Sequence, residues 1–162
     1  MSLKLSGQSR LAKQSAMSNQ MIQTAGVHLN ATASSPEEAV RLCGEKLLEL
    51  GAVDQRYVEA MWEREQAFPS AIGFGLAIPH GTDEARQWVK FDQLVFLRLD
   101  SPIDWQGEEV NMCVGIAARG DNHMEILGNL AELIQDPDSE KTLLESKDPQ
   151  EILDLLLASE SE

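Results

Sequence analysis

Apolar residues recur at helical spacing through Ala39, Val40, Cys43, Leu47 and Leu50, which places them on one side of a helix with polar residues opposite. Ser35, then Pro36, then Glu38 three positions after the serine form a capping box with proline at the first helical position, and Gly51 ends the run. A second helix starts near Asp54 and carries Tyr57, Val58, Met61 and Trp62 on its apolar face. Glu63, Arg64, Glu65 and Gln66 follow before Pro69, so its end is expected to be charged and exposed. Val27 to Leu29 reads as a short first strand, with His28 an ordinary strand residue. Leu76, Ala77 and Ile78 read as a buried strand whose ladder Pro79 stops. Gln93 to Leu99 and Val110 to Ala118 read as two more strands, the second apolar enough to lie in mid-sheet with both faces covered. The segment SPIDWQGEE between them reads as a polar turn. Asp121 or Asn122 is expected to cap a helix bearing Met124, Leu127, Leu130 and Ile134. Asp148, Pro149 and Glu151 open a leucine-rich terminal helix. Strands alternating with helices imply an α/β fold: a single domain with a mixed, mostly parallel β-sheet flanked by helices as a three-layer sandwich.

Length and composition narrow the function classes. With 162 residues, 43% hydrophobic and 25% charged, the chain is of ordinary size for one globular domain with a full core. No run of about 18 apolar residues is present to span a bilayer, and the N-terminus lacks the apolar centre of a secretory signal, so a cytoplasmic location is expected. Residues 1–20 hold Lys4, Arg10 and Lys13, no acid, many Ser and Gln, and no apolar period. They are expected to be a disordered tail or linker, with the folded domain over 21–158 and a short tail at 159–162. The 27 acidic against 13 basic residues give a formal charge of −14. That repels phosphate backbones and anionic lipid and favours a basic protein partner. Cys43 and Cys113 lie in apolar settings without CxxC or Cys/His ligand spacing, as buried reduced thiols do.

The chemistry gathers around GLAIPHGTDEAR, residues 75–86. There a short strand breaks into a Pro/Gly turn that presents His80, Gly81 lets the backbone come close to whatever His80 carries, and Thr82 adds a hydroxyl. Thr82 or Asp83 is placed to cap the turn that follows. Arg64 at the end of the second helix and His123 at the start of a later one are further donors. Ends of strands and starts of helices collect along the carboxyl edge of an α/β sheet, and the first turn of a helix favours an anion. Two histidines, an arginine and a threonine suit a phosphoryl group. Neutral imidazole attacks phosphorus near pH 7, and the remaining groups can stabilise the oxygens. Taken residue by residue, blander readings stay open: a structural Pro-His-Gly turn, a helix-start histidine at 123, and an intrahelical ion pair for Arg64. Zinc lacks an HxH or HExxH spacing or a nearby cysteine, and no cofactor is called for.

GLAIPHGTDEAR, preceded by MWEREQAFPSAIG at 61–73 and followed by VGIAARGDNHMEIL at 114–127, resembles the enzyme IIA domains of the bacterial phosphoenolpyruvate-dependent sugar phosphotransferase system, mannitol/fructose type. The resemblance covers roughly residues 22 to 158 in order and spacing, and the PHGT form is most similar to the mannitol branch. It implies a mixed sheet flanked by helices and a relay in which phospho-HPr loads His80. His80, as the phosphohistidine through Nε2, then passes the group to a cysteine of an enzyme IIB domain, working with the membrane domain IIC. In that reading His123 and Arg64 are supporting active-site groups, and Thr82 and Gly81 help to bind the phosphoryl. HPr of such systems presents positive charge around its own histidine, which matches the acidic balance here. The sequence departs from the family in its 20-residue head and in Phe74–Gly75 before the strand. Neither cysteine sits in a phosphate-cradling loop, so the chain is expected to be IIA alone. Two alternatives accompany the resemblance: a regulatory phosphocarrier of the nitrogen-related type acting through protein contacts, and a non-catalytic sensory IIA-like module.

Overall fold

The computed structural model of the chain describes residues 22–120 and 123–160. The expected head at 1–20, the proposed caps Asp121 and Asn122, and the last two residues of the expected tail lie outside them.

Local chemistry sets the first two helices. Ser35 Oγ accepts from the Glu38 amide at 3.2 Å to open α1 (Pro36–Glu49). The Glu38 carboxylate reaches back to the Ser34 amide and hydroxyl, at 2.9 Å each. The reciprocal bond of the capping box therefore lands one residue earlier than the usual pattern. Asp54 caps α2 (Gln55–Ala67) by accepting from the Arg56 amide at 2.9 Å. The two helices pack tightly at Gly44, where a Cβ would lie 2.8 Å from Val58 Cγ1.

Five strands form one sheet in the order β1-β4-β5-β3-β2: β1 (Val27–Ala31), β2 (Ala71–Gly73), β3 (Leu76–Ala77), β4 (Gln93–Trp105) and β5 (Glu108–Ala117). β1 runs parallel to β4 and β3 parallel to β5, whereas β4–β5 and β2–β3 are antiparallel. The sheet is mixed as expected, with parallel and antiparallel pairings equal in number rather than mostly parallel. Alternation along β4 sends Val95, Leu97, Leu99, Ile103 and Trp105 to one face, with α1 and α2. Leu94 and Phe96 go to the other, as the two-residue period of a strand requires. That second face is covered by α3 (His123–Gln135), α4 (Pro137–Glu145) and α5 (Pro149–Glu160), through Ile126, Leu130, Leu143, Ile152 and Leu156 among others. The result is three layers with the sheet in the middle.

The SPIDWQGEE segment is a correction. β4 continues through it, with a register shift between Arg98 and Ile103, and β5 begins at Glu108. Only Gln106 and Gly107 turn the chain, with φ of 53° and 96°, the two left-handed residues of a tight hairpin. Asp104 supports that turn by accepting from the Gly107 amide at 2.8 Å. Trp105, read as part of a polar loop, is 1% exposed. α4 and β2 are additions. α4 follows the Asp136 cap, whose carboxylate accepts from the Ser139 amide at 3.0 Å, with Pro137 in its first turn. Arg98 closes the other end of α4 by donating to Leu143 O and Ser146 O at 2.6–2.9 Å.

Cys43 and Cys113 are buried free thiols. Hydrogen bonding between them and full burial hold the Cys43 thiol well above its ordinary pKa, so it stays protonated and unreactive. No helix among the described residues is long and apolar enough to cross a membrane.

Candidate functional site

His80 continues the parallel register that β3 keeps with β5. Leu76 pairs with Met112 and Ala77 with Cys113, and after a two-residue interruption His80 bridges to Ile116. Pro79, having no N–H, breaks the ladder, yet its carbonyl accepts from the Ile116 amide at 2.9 Å. The histidine is thus held on backbone rather than on a free loop, at the carboxyl edge where the sequence pattern predicted a site.

The imidazole has a defined orientation. Nδ1 lies 2.8 Å from the carbonyl oxygen of Ile78. A carbonyl only accepts, so Nδ1 carries the hydrogen, and in the neutral imidazole Nε2 then has the lone pair. An imidazole fixed this way presents one nucleophilic nitrogen.

A cavity of about 630 Å³ opens around His80 and is lined also by Tyr57, Arg64, Gly81, Thr82 and Arg86. Tyr57 and Arg64 lie two helical turns apart on α2, so one face of that helix supplies both. The Arg64 guanidinium donates to Phe68 O at 2.6 Å and sits 5.3 Å from the centre of the Phe68 ring. It closes the end of its own helix with one nitrogen and stacks on an exposed aromatic. Of the alternatives open at the sequence level, the ion pair across the helix is not the one adopted. Thr82 Oγ1 accepts from the Ala85 amide at 3.3 Å and caps the 3-10 turn Glu84–Trp88. Accepting that bond leaves the hydroxyl proton available for donation. Asp83 occupies the N-cap position, but its side chain makes no cap bond. It pairs instead with Arg86, Oδ1 to Nη2 at 3.1 Å. Gly81 gives its amide to the Tyr57 hydroxyl at 2.9 Å. His123 opens α3, whose next residues Met124 and Leu127 line the same cavity. Among the described residues no three His, Cys, Asp or Glu side chains gather to hold a metal ion.

Two residues of α2 were misjudged from sequence. Glu65, expected at a charged and exposed helix end, is 3% exposed. Its Oε2 accepts from the Trp105 indole N–H at 2.7 Å and from the Ser70 amide at 2.8 Å, which ties the helix end beside Arg64 to the β4–β5 hairpin. The signal was the four-residue step Tyr57, Met61, Glu65, which keeps Glu65 on the buried face. Replacing it, Glu65→Ala, strands both donors and is expected to lower unfolding stability by about 2–4 kcal/mol, read from urea unfolding. Tyr57, expected on the apolar face of the helix, also bonds through its hydroxyl, to Ile116 O and from the Gly81 amide.

The model of the family described as "Phosphoenolpyruvate-dependent sugar phosphotransferase system, EIIA 2" matches residues 20–159. The chain belongs to this family. The EIIA chain is 38% identical over 140 residues to the mannitol-specific phosphotransferase enzyme IIA component of Halalkalibacterium halodurans, covering 86% of this chain and 97% of that protein. Its fold superposes on enzyme IIAMTL of Escherichia coli in that protein's complex with phosphorylated enzyme IIBMTL. There the TM-score is 0.77 at 30% identity, over 83% of this chain and 95% of the other. The crystal structure of IIA mannitol from Escherichia coli gives 0.75 at 31% identity, over 82% and 96%. The resemblance first seen around PHGT therefore holds over the whole domain, and the chain is a phosphocarrier EIIA component. Components of this kind act as phosphotransferases in sugar uptake.

Proposed function

We propose that this EIIA chain accepts a phosphoryl group from phospho-HPr on Nε2 of His80 and passes it to a cysteine of an enzyme IIB partner in mannitol-type uptake. The observation that carries this reading is the Nδ1–H bond from His80 to the Ile78 carbonyl at 2.8 Å, which leaves Nε2 as the nucleophile at the cavity. In the first step Nε2 attacks phosphorus, an N–P bond forms, and the N–P bond to the donor histidine breaks. In the second, a IIB thiolate attacks the same phosphorus, an S–P bond forms, and Nε2 recovers its lone pair. Little covalent work falls to the protein, so alignment and charge stabilisation dominate. Arg64 and Thr82 both line the cavity, which supports assigning Arg64 to bind the phosphoryl oxygens with its planar fork and Thr82 to donate one bond. His123 is assigned the remaining supporting role, consistent with its place at the start of α3.

The surroundings suit a protein partner. Phe68 and Met124, each 66% exposed, stand at the cavity's edge, and exposed apolar groups around a polar centre mark contact surfaces. With a net charge of −14, a basic carrier is attracted at long range, which speeds a brief encounter. Names of the relatives support mannitol as the sugar class: the Halalkalibacterium halodurans protein is mannitol-specific, and the Escherichia coli protein forms a complex with phosphorylated IIBMTL.

The test is to incubate the protein with phosphoenolpyruvate, enzyme I and HPr, then add purified IIB proteins one at a time. One acid-labile phosphoryl group per chain is expected, drained fastest by a mannitol-type IIB. Loading followed by no transfer to any IIB would favour the regulatory reading instead.

A further inference from the structure

The tyrosine next to the histidine has a distinctive arrangement of bonds. Tyr57 is 3% exposed, and its hydroxyl touches the backbone on both sides of the His80–Ile116 bridge. It lies 2.8 Å from Ile116 O and 2.9 Å from the Gly81 amide. Both bonds are fixed in direction: the carbonyl can only accept, so the single phenolic hydrogen goes to Ile116, and the oxygen lone pair takes the Gly81 N–H. One side-chain atom therefore couples α2, the residue after His80 and the strand beneath it.

Gly81 fits the same picture. A Cβ there would lie 2.6 Å from Tyr57 Cε1 and 2.9 Å from Cζ, so the aromatic ring occupies the space that any side chain at 81 would need. The glycine is thus a consequence of the tyrosine packed against it. Burial pushes the Tyr57 phenol up to about 12, so it keeps its donor hydrogen throughout the neutral range.

We propose that Tyr57 is a positioning residue for phosphoryl transfer, clamping Gly81 to Ile116 so that His80 holds its Nδ1 bond to Ile78 and aims Nε2 into the cavity. The inference rests on the phosphocarrier reading of His80. It also reassigns Gly81: its amide serves the clamp, and its support of the phosphoryl group is exerted through the position of His80. Tyr57 itself touches no reacting atom.

The test is Tyr57→Phe, which keeps the ring and removes the clamp. Transfer from phospho-HPr, followed by rapid quench, is expected to slow on the order of 10- to 100-fold at saturating donor, as small misplacements of a reacting group do. The KM for phospho-HPr should stay within about twofold, because the docking surface is untouched. A second readout needs no phosphoryl transfer: long-range 15N spectra should show the single Nδ1–H tautomer of His80 in the wild type and a mixture in the variant. A lowered Tm with an unchanged rate and an unchanged tautomer would overturn the proposal, leaving Tyr57 as packing alone. In the loaded wild type, the Gly81 amide should keep its protection from hydrogen exchange and its chemical shift. A strong downfield move there would mean that it binds phosphoryl directly and would likewise overturn the clamp. Should the wild type accept no phosphoryl at all, the reading of His80 falls, while the tautomer comparison still judges the clamp.

Discussion

His80→Ala is expected to take up no phosphoryl group from phospho-HPr. This outcome follows from the site geometry, since the other polar side chains described at the cavity are two arginines, a phenol committed to two backbone partners, the Thr82 hydroxyl, and the carboxylates of Asp83, paired with Arg86, and of Glu84. None replaces imidazole as a nucleophile near neutral pH. The substitution should leave the fold in place. It deletes the bond to Ile78 O, worth about 1 kcal/mol, while the Pro79–Ile116 and Gly81–Tyr57 bonds, made by the backbone and by the phenol, remain. A normal far-UV spectrum and a cooperative melt, together with no acid-labile label, are the expected pair of results. Label that persists in this variant would mean that a different residue carries the phosphoryl group.

Arg64 carries the next largest effect. Its guanidinium, bonded to Phe68 O and stacked on the Phe68 ring, lines the cavity and is the fork that we propose meets charge on the transferring group. Losing such a donor typically costs about 10²- to 10³-fold in rate, and that is the fall expected for Arg64→Ala in rapid-quench transfer from phospho-HPr. Arg64→Lys separates two roles. Lysine can still donate to the helix-end carbonyl, yet it lacks the planar fork, so an intermediate loss is expected if Arg64 binds phosphoryl oxygens. A wild-type rate in the lysine variant would reduce Arg64 to a helix cap.

Much of the backbone around His80 is legible in the sequence. Pro79 between an apolar triplet and Gly81 marks a strand that stops at a histidine, and the ladder does stop and resume there in unbroken register. The caps at Ser35 and Asp54 were likewise readable, because short polar side chains before an apolar period serve orphan amides that every helix has. What escaped has physical reasons. The length of the β4–β5 hairpin was hidden by Ser101, Pro102 and Asp104, polar or ring-constrained residues that belong to an irregular and outward-facing stretch. Ile103 and Trp105 nevertheless keep the two-residue alternation inward. Glu65 was misread because charge ordinarily means exposure. Its burial depends on two donors, Trp105 and Ser70, the first of them forty residues away in sequence. The clamp at Tyr57 escaped for a similar reason. A tyrosine on an apolar helix face announces packing, and only the fold brings its hydroxyl to Gly81 and Ile116.

Backbone contacts also hold His80, the residue proposed to carry the phosphoryl group, at the carboxyl end of the sheet rather than on a mobile loop. In that proposal Nε2 acts on partners that come and go, so its aim has to be set within the domain before either arrives. The Ile78 bond fixes the tautomer and the paired backbone of Pro79 and Ile116 fixes the position. Phe68 and Met124 remain exposed beside it, the rim that the proposed function assigns to the partner.

The most direct test is the identity of the phosphorylated atom. Loading uniformly 15N-labelled protein from phosphoenolpyruvate through enzyme I and HPr, then recording 15N and 31P spectra, is expected to show one N–P bond, at Nε2 of His80, with Nδ1 still protonated. Phosphorus found on Nδ1 of His80, or on any other residue, would contradict the account.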